Sequence, residues 1–91
     1  MNDKPIKTFR DAEDRAVAAS IWLVTHAESG QLFYDVTLSR SWKDQATGDS
    51  GYSQTLSCRN LDAAIRVLRD SQAWIQNAMR NAESNVPDQA T

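Results

Sequence analysis

The sequence predicts an α+β domain: a three- or four-stranded antiparallel meander followed by one long C-terminal helix packed on the sheet. Two alternating segments and one helical stripe predict it. Side chains alternate across a strand, so residues 17–26 place Val17, Ala19, Ile21 and Leu23 on one face. Residues 31–42 likewise place Leu32, Tyr34, Val36, Leu38 and Trp42 on one face. From about Leu61 the apolar period becomes that of a helix.

Each element has its own warrant. Residues 1–7 read as a loose arm. Residues 8–16 read either as a helix capped by Thr8 or as a short extended segment; an extended or irregular arm over residues 1–15 is preferred. Residues 17–26 form the first strand. Ala27, Glu28, Ser29 and Gly30 read as a hairpin loop, with Gly30 free to take a positive φ. Residues 31–43 form the second strand. A four-residue loop sets Val24 opposite Phe33, Leu23 opposite Tyr34, Ile21 opposite Val36 and Ala19 opposite Leu38. The apolar faces then coincide, as a half-buried hairpin requires.

Residues 44–51 are a loop by composition. Tyr52 to Cys58 reads as a third strand, with Tyr52, Leu56 and Cys58 toward the core and Ser53, Thr55 and Ser57 away from it. Asn60 suits an N-cap, and Asp62 in the first turn favours the helix dipole. Leu61, Ala64, Ile65, Leu68, Ile75, Ala78 and Met79 form the apolar stripe, widened by Val67 and Trp74. Asp62–Arg66 and Arg66–Asp70 have ion-pair spacing on a helix. The domain spans residues 16–82, and residues 83–91 read as a disordered tail.

Ninety-one residues make one small domain with a thin core, and oligomerisation is one way to enlarge such a core. At 41% hydrophobic and 24% charged residues, the composition is that of a soluble globular chain rather than a disordered one. No apolar run is long enough to cross a membrane, and no basic start precedes an apolar stretch as in a signal peptide. The single cysteine, Cys58, excludes an internal disulfide and agrees with a reducing, cytoplasmic setting. A net charge of −2 means that nucleic-acid binding requires folding to cluster the cations.

The catalytic candidates are thin. His26 is the lone histidine, at a strand end beside the hairpin loop, and reads as a turn residue. Cys58, beside Arg59, alternates with Leu56 and reads as a small buried apolar residue rather than a nucleophile. One His and one Cys do not make a zinc site. Gly48 and Gly51 lack the Lys-Ser/Thr of a phosphate loop, and Asp44 and Asp49 lack the calcium-loop pattern. No catalytic residue, metal or cofactor is expected.

The face opposite the core is richer. It carries Ser20, Trp22, Val24, Phe33, Asp35, Thr37, Ser39, Ser41 and Lys43 by alternation. Trp22, Val24 and Phe33 make one apolar patch, suited to stacking unpaired bases, to a protein interface or to cover by the N-terminal arm. Trp42 and Trp74 read as packing residues. Arg40 has core-side parity near the sheet's edge, where it either snorkels outward or pairs with Asp62 or Asp70.

Several of these stretches resemble a group of small uncharacterised bacterial proteins of mobile elements and phage-derived islands: Ala19 to Trp22, Phe33 to Asp44, Asn60 to Asp62 and Ala73 to Ile75. The resemblance covers about residues 17–76, is strongest over the second strand with its Trp42-Lys43-Asp44 ending, and implies a fold rather than an activity. In topology alone, curved strands followed by one helix resemble single-strand DNA-binding domains of the Whirly and transcriptional-coactivator type. That resemblance implies dimers that bind single strands on the sheet.

The expectation is a non-enzymatic, cytoplasmic binding module, a homodimer, that takes single-stranded nucleic acid on its sheet face. Trp22 and Phe33 would stack bases; Arg40, Lys43 and Arg59 would meet phosphates. The alternative is a protein-interaction module, or an inhibitor of a host defence or regulatory protein encoded by a mobile element.

Overall fold

The alternating segments pair as their faces demand, and two short strands extend them. The computed structural model describes residues 4–84. Strands β1 (Lys7–Arg10), β2 (Val17–Thr25), β3 (Leu32–Lys43) and β4 (Ser50–Ser53) form one sheet in that order, every neighbouring pair antiparallel. A 3-10 turn (Cys58–Asn60) leads into the helix α1 (Leu61–Ser84). The β2–β3 register is the expected one, with Ala19 opposite Leu38, Ile21 opposite Val36 and Val24 opposite Phe33.

Both hairpins that flank β3 close with the same four-residue loop. In the first, Gly30 N–H donates to the His26 carbonyl (2.8 Å), and His26 N–H donates to that of Gln31 (2.7 Å). In the second, Gly48 and Asp44 repeat this with Asp44 and Asp49, both at 2.7 Å. Gly30 and Gly48 take φ of +72° and +79°, a conformation that costs a side-chain-bearing residue strain.

One face of the sheet lies under α1. Val17, Ala19 and Ile21 are fully buried there, with Ala63, Ala64 and Val67 of the helix; Phe9, Leu38 and Leu56 pack against this cluster. Tyr34 meets Trp74 edge to face, ring centroids 6.0 Å apart. The expected helical stripe divides in two. Its small members face the sheet, so the helix sits close; Leu61, Ile65, Leu68 and Met79 are exposed. Ser71 is buried within the close-packed stripe and donates to the Val67 carbonyl (2.7 Å).

A polar network locks the helix to the β1–β2 connection. Arg66 Nε and Nη2 grip the two Asp11 carboxylate oxygens at 2.7 and 2.9 Å. Asp11 also accepts the backbone N–H of Glu13 (3.1 Å) and Asp14 (2.8 Å). The Arg66 bond, then the backbone donors, hold the Asp11 carboxyl well below the usual carboxylate range. Asn60 Nδ2 donates to Asp14 (2.6 Å), while Asn60 Oδ1 accepts from the backbone N–H and hydroxyl of Ser57.

Several expectations are corrected here. The arm is not irregular throughout: Lys7–Arg10 is an edge strand, held by pairing Lys7 with Ile21 and Phe9 with Ala19. The last strand is Ser50–Ser53, not 52–58, because the loop ending at Gly48 restarts pairing at Ser50. Tyr52 therefore lies opposite Ser41 and faces away from the helix, and Cys58 is exposed in the 3-10 turn. Arg66 turns to Asp11 and Glu13, which reach it from the β1–β2 connection, rather than to Asp62 or Asp70. Of the tail expected over residues 83–91, residues 83–84 belong to α1, and residues 85–91 lie outside the described residues. No helix among those described is long and apolar enough to cross a membrane.

Candidate functional site

The face of the sheet away from α1 has no element over it among the described residues. Pairing aligns its side chains in rows: Thr8 beside Ser20, Ser20 beside Thr37, Trp22 beside Asp35, and Ser41 beside Tyr52. These rows form a shallow trough of about 530 Å³ whose walls include Thr8, Arg10, Trp22, Thr37 and Tyr52, with small, buried Ala18 at its floor.

Three aromatic rings stand on this face. Trp22 is half-buried, and its indole N–H donates to the Thr37 hydroxyl at 2.8 Å, which fixes the ring's orientation. Phe33 is 44% exposed and meets His26 edge to face at 6.0 Å. Tyr52 is 75% exposed. Hydroxyls lie between the rings, Thr8 and Ser20 within 3.2 Å of each other. Among the described residues the arm does not cover Phe33; β1 pairs with residues 18–21 of β2. The cations on this face are Lys43 and Arg10, the latter donating to the Arg15 carbonyl at 2.6 Å.

The expected site residues fall into two groups. Trp22 and Phe33 lie on the open face. Arg40 and Arg59 do not; they line a depression of about 440 Å³ at the end of the sheet, with Lys43 and Trp42. Arg40 is held by its Nε, which donates to the Thr55 carbonyl at 3.0 Å, rather than by Asp62 or Asp70. Trp42, expected in the core, is 42% exposed because it lies beyond the helix, against Gly51 of β4. Trp74 packs as expected.

Tyr52 lies on the face opposite to the one its alternation with Leu56 and Cys58 predicts, and the sequence does carry a signal for its true place. Gly48 ends a loop of the same length as the one ending at Gly30, and copying that register onto β4 sets Tyr52 beside Ser41. His26 lies at the hairpin turn with Ser29 Oγ 3.3 Å from its Nδ1. Among the described residues no group of three or more His, Cys, Asp or Glu could hold a metal ion.

No family model, curated protein or solved structure matches the chain. The geometry of the two faces therefore carries the functional argument.

Proposed function

We propose that this chain is a non-enzymatic module that binds single-stranded nucleic acid on the open face of its sheet. The observation that carries the reading is a face with no element over it among the described residues that presents Phe33, Trp22 and Tyr52, on separate rungs of the sheet, among hydroxyls. Every base has a π-face, and an exposed aromatic ring offers about 1–3 kcal/mol of stacking per base. Hydroxyls between the rings supply donors and acceptors for sugars and base edges, and Lys43 and Arg10 supply charge for phosphates. Because the whole chain is acidic, attraction to a polyanion must come from such local cations.

The test is fluorescence anisotropy of labelled single-stranded oligonucleotides at two salt concentrations. Binding that weakens with salt, and that a Trp22→Ala/Phe33→Ala pair loses while keeping its fold, supports the reading. No binding at low salt sinks it.

A second reading, self-association, is favoured by the outer stripe of α1. Leu61, Ile65, Leu68, Gln72, Ile75 and Met79 follow one another at alternating four- and three-residue steps, the spacing of a helix–helix seam. Asp62 and Arg69 flank that seam one heptad apart. An antiparallel second copy sets each Asp62 against the other copy's Arg69. Light scattering should then give twice the 10.2 kDa chain mass, and Leu68→Lys should restore the single mass. A single-chain mass over a wide concentration range refutes it.

A further inference from the structure

Lys43 belongs to two surfaces. Its parity in β3 sets it on the open face, and it also lines the depression that gathers Arg40, Arg59 and Trp42. Tyr52 and Trp42 are joined by a shallow surface that Lys43 and Ser50 also line. The open face thus continues past Tyr52 and Lys43 into a basic depression beside Trp42. We propose that this depression is a phosphate subsite: Arg40, Lys43 and Arg59 hold a phosphoryl group of the strand, and the adjacent base stacks on Trp42. The proposal rests on the nucleic-acid reading above and extends it beyond the open face.

Charge is the first argument. Three cations line the depression against one carboxylate, Asp14, which is already engaged by Asn60 Nδ2 at 2.6 Å. Among the described residues neither Lys43 nor Arg59 makes an ion pair. Three cations gathered against a single carboxylate leave a net positive charge, and an anion between them relieves their mutual repulsion.

Orientation is the second argument. Arg40 is half-buried, and its Nε is tied to the Thr55 carbonyl, which positions the guanidinium; among the described residues its terminal nitrogens have no bonded partner and can meet a ligand. Such a fork suits paired phosphate oxygens. The Trp42 ring is fixed as well. A Cβ at Gly51 would lie 2.9 Å from its Cζ2 and 3.1 Å from its Cε2, so the indole lies directly on the glycine backbone. The ring is nonetheless 42% exposed. A held, partly exposed indole beside a held guanidinium is suited to a base and its phosphate, and ordering the ligand costs little rearrangement of the site.

The phosphoryl group could be a strand's terminal phosphate or an internal one. The test uses short oligothymidylates, labelled at the 3′ end, with and without a 5′-phosphate. Anisotropy titrations over a salt series compare wild type, Arg59→Glu, Arg40→Gln and the Trp22→Ala/Phe33→Ala pair, each checked by circular dichroism. Arg59 is exposed without an ion-pair partner, so Arg59→Glu is the variant that keeps its fold. It should lose about tenfold in affinity, with a salt slope shallower by roughly 0.7 for each lost phosphate contact.

If the terminal phosphate is seated, the 5′-phosphorylated strand binds wild type more tightly, and Arg59→Glu abolishes that preference. If an internal phosphate is seated, both strands bind alike and Arg59→Glu weakens both. Unchanged affinity and slope in folded Arg59→Glu and Arg40→Gln overturn the subsite, even where the Trp22→Ala/Phe33→Ala pair loses binding and the open-face reading stands. Loss in the arginine variants with retention in the aromatic pair supports the subsite and sinks the open-face reading. A wild type that binds neither strand overturns both.

Discussion

Along β2 the two faces of a single strand have opposite surroundings. Val17, Ala19 and Ile21 lie under α1 and are wholly buried, whereas Ser20, Trp22 and Val24, one residue out of step, remain partly exposed on the other face. The covered face is where apolar area leaves water, so stability is concentrated there. The open face keeps a tryptophan, a phenylalanine and a tyrosine in contact with solvent. Those rings keep apolar surface that a ligand can use. Helix and strand make this division together: small residues on α1 let it close over β2, and β1 is too short to reach the rings near the hairpin tip.

The sharpest way to break the comparison is to truncate a buried residue on the covered face. Ile21→Ala should cost about 2–5 kcal/mol in denaturant unfolding, because it removes packed methyl groups and leaves a cavity. A loss below that range would mean that the helix-covered face is not the stability centre. Overpacking the same interface acts less strongly. Ala64→Leu should cost about 1–3 kcal/mol, since the added side chain must push α1 off the sheet.

The Asp11–Arg66 lock has a pH signature. Its carboxyl titrates lower in the folded chain than in the unfolded one, so its stabilisation is present above the unfolded value and fades as acid protonates the folded group. Thermal melts should lose stability between about pH 5 and about pH 2, and Asp11→Asn should flatten that part of the profile. An equally steep profile in the variant would assign the acid response to other carboxylates. The smallest effect belongs to the open face. Phe33→Ala should change unfolding free energy by no more than about 0.5 kcal/mol, yet weaken strand binding. A large stability loss there would make Phe33 a packing residue and blur the distinction between the faces.

Much of this architecture was legible before folding. Period-two alternation in residues 17–43 announced the central hairpin, and Gly30 announced its loop. The helix start at Leu61 followed from the change of period. Trp22 and Phe33 were placed on the open face by parity alone. The failures have one cause. Tyr52 to Cys58 alternates, with Ser53, Thr55 and Ser57 all on one parity, so the local pattern reads as a strand of its own; where pairing begins, and which parity faces the helix, is set by the loop ending at Gly48. In α1, a stripe of small residues and a stripe of large ones stand side by side, and hydropathy ranks the large ones as the core.

By itself, then, the sequence determined what is local: alternation, turn chemistry and helical period, each set by neighbours a few residues apart. Only the tertiary structure decided which stripe of α1 meets the sheet, that Arg66 reaches across to Asp11, and that Arg40, Lys43 and Arg59 gather around Trp42. These depend on long-range closure. A small residue is buried because it permits close approach, and cations separated along the chain become one site only when the sheet's end and the 3-10 turn are brought together.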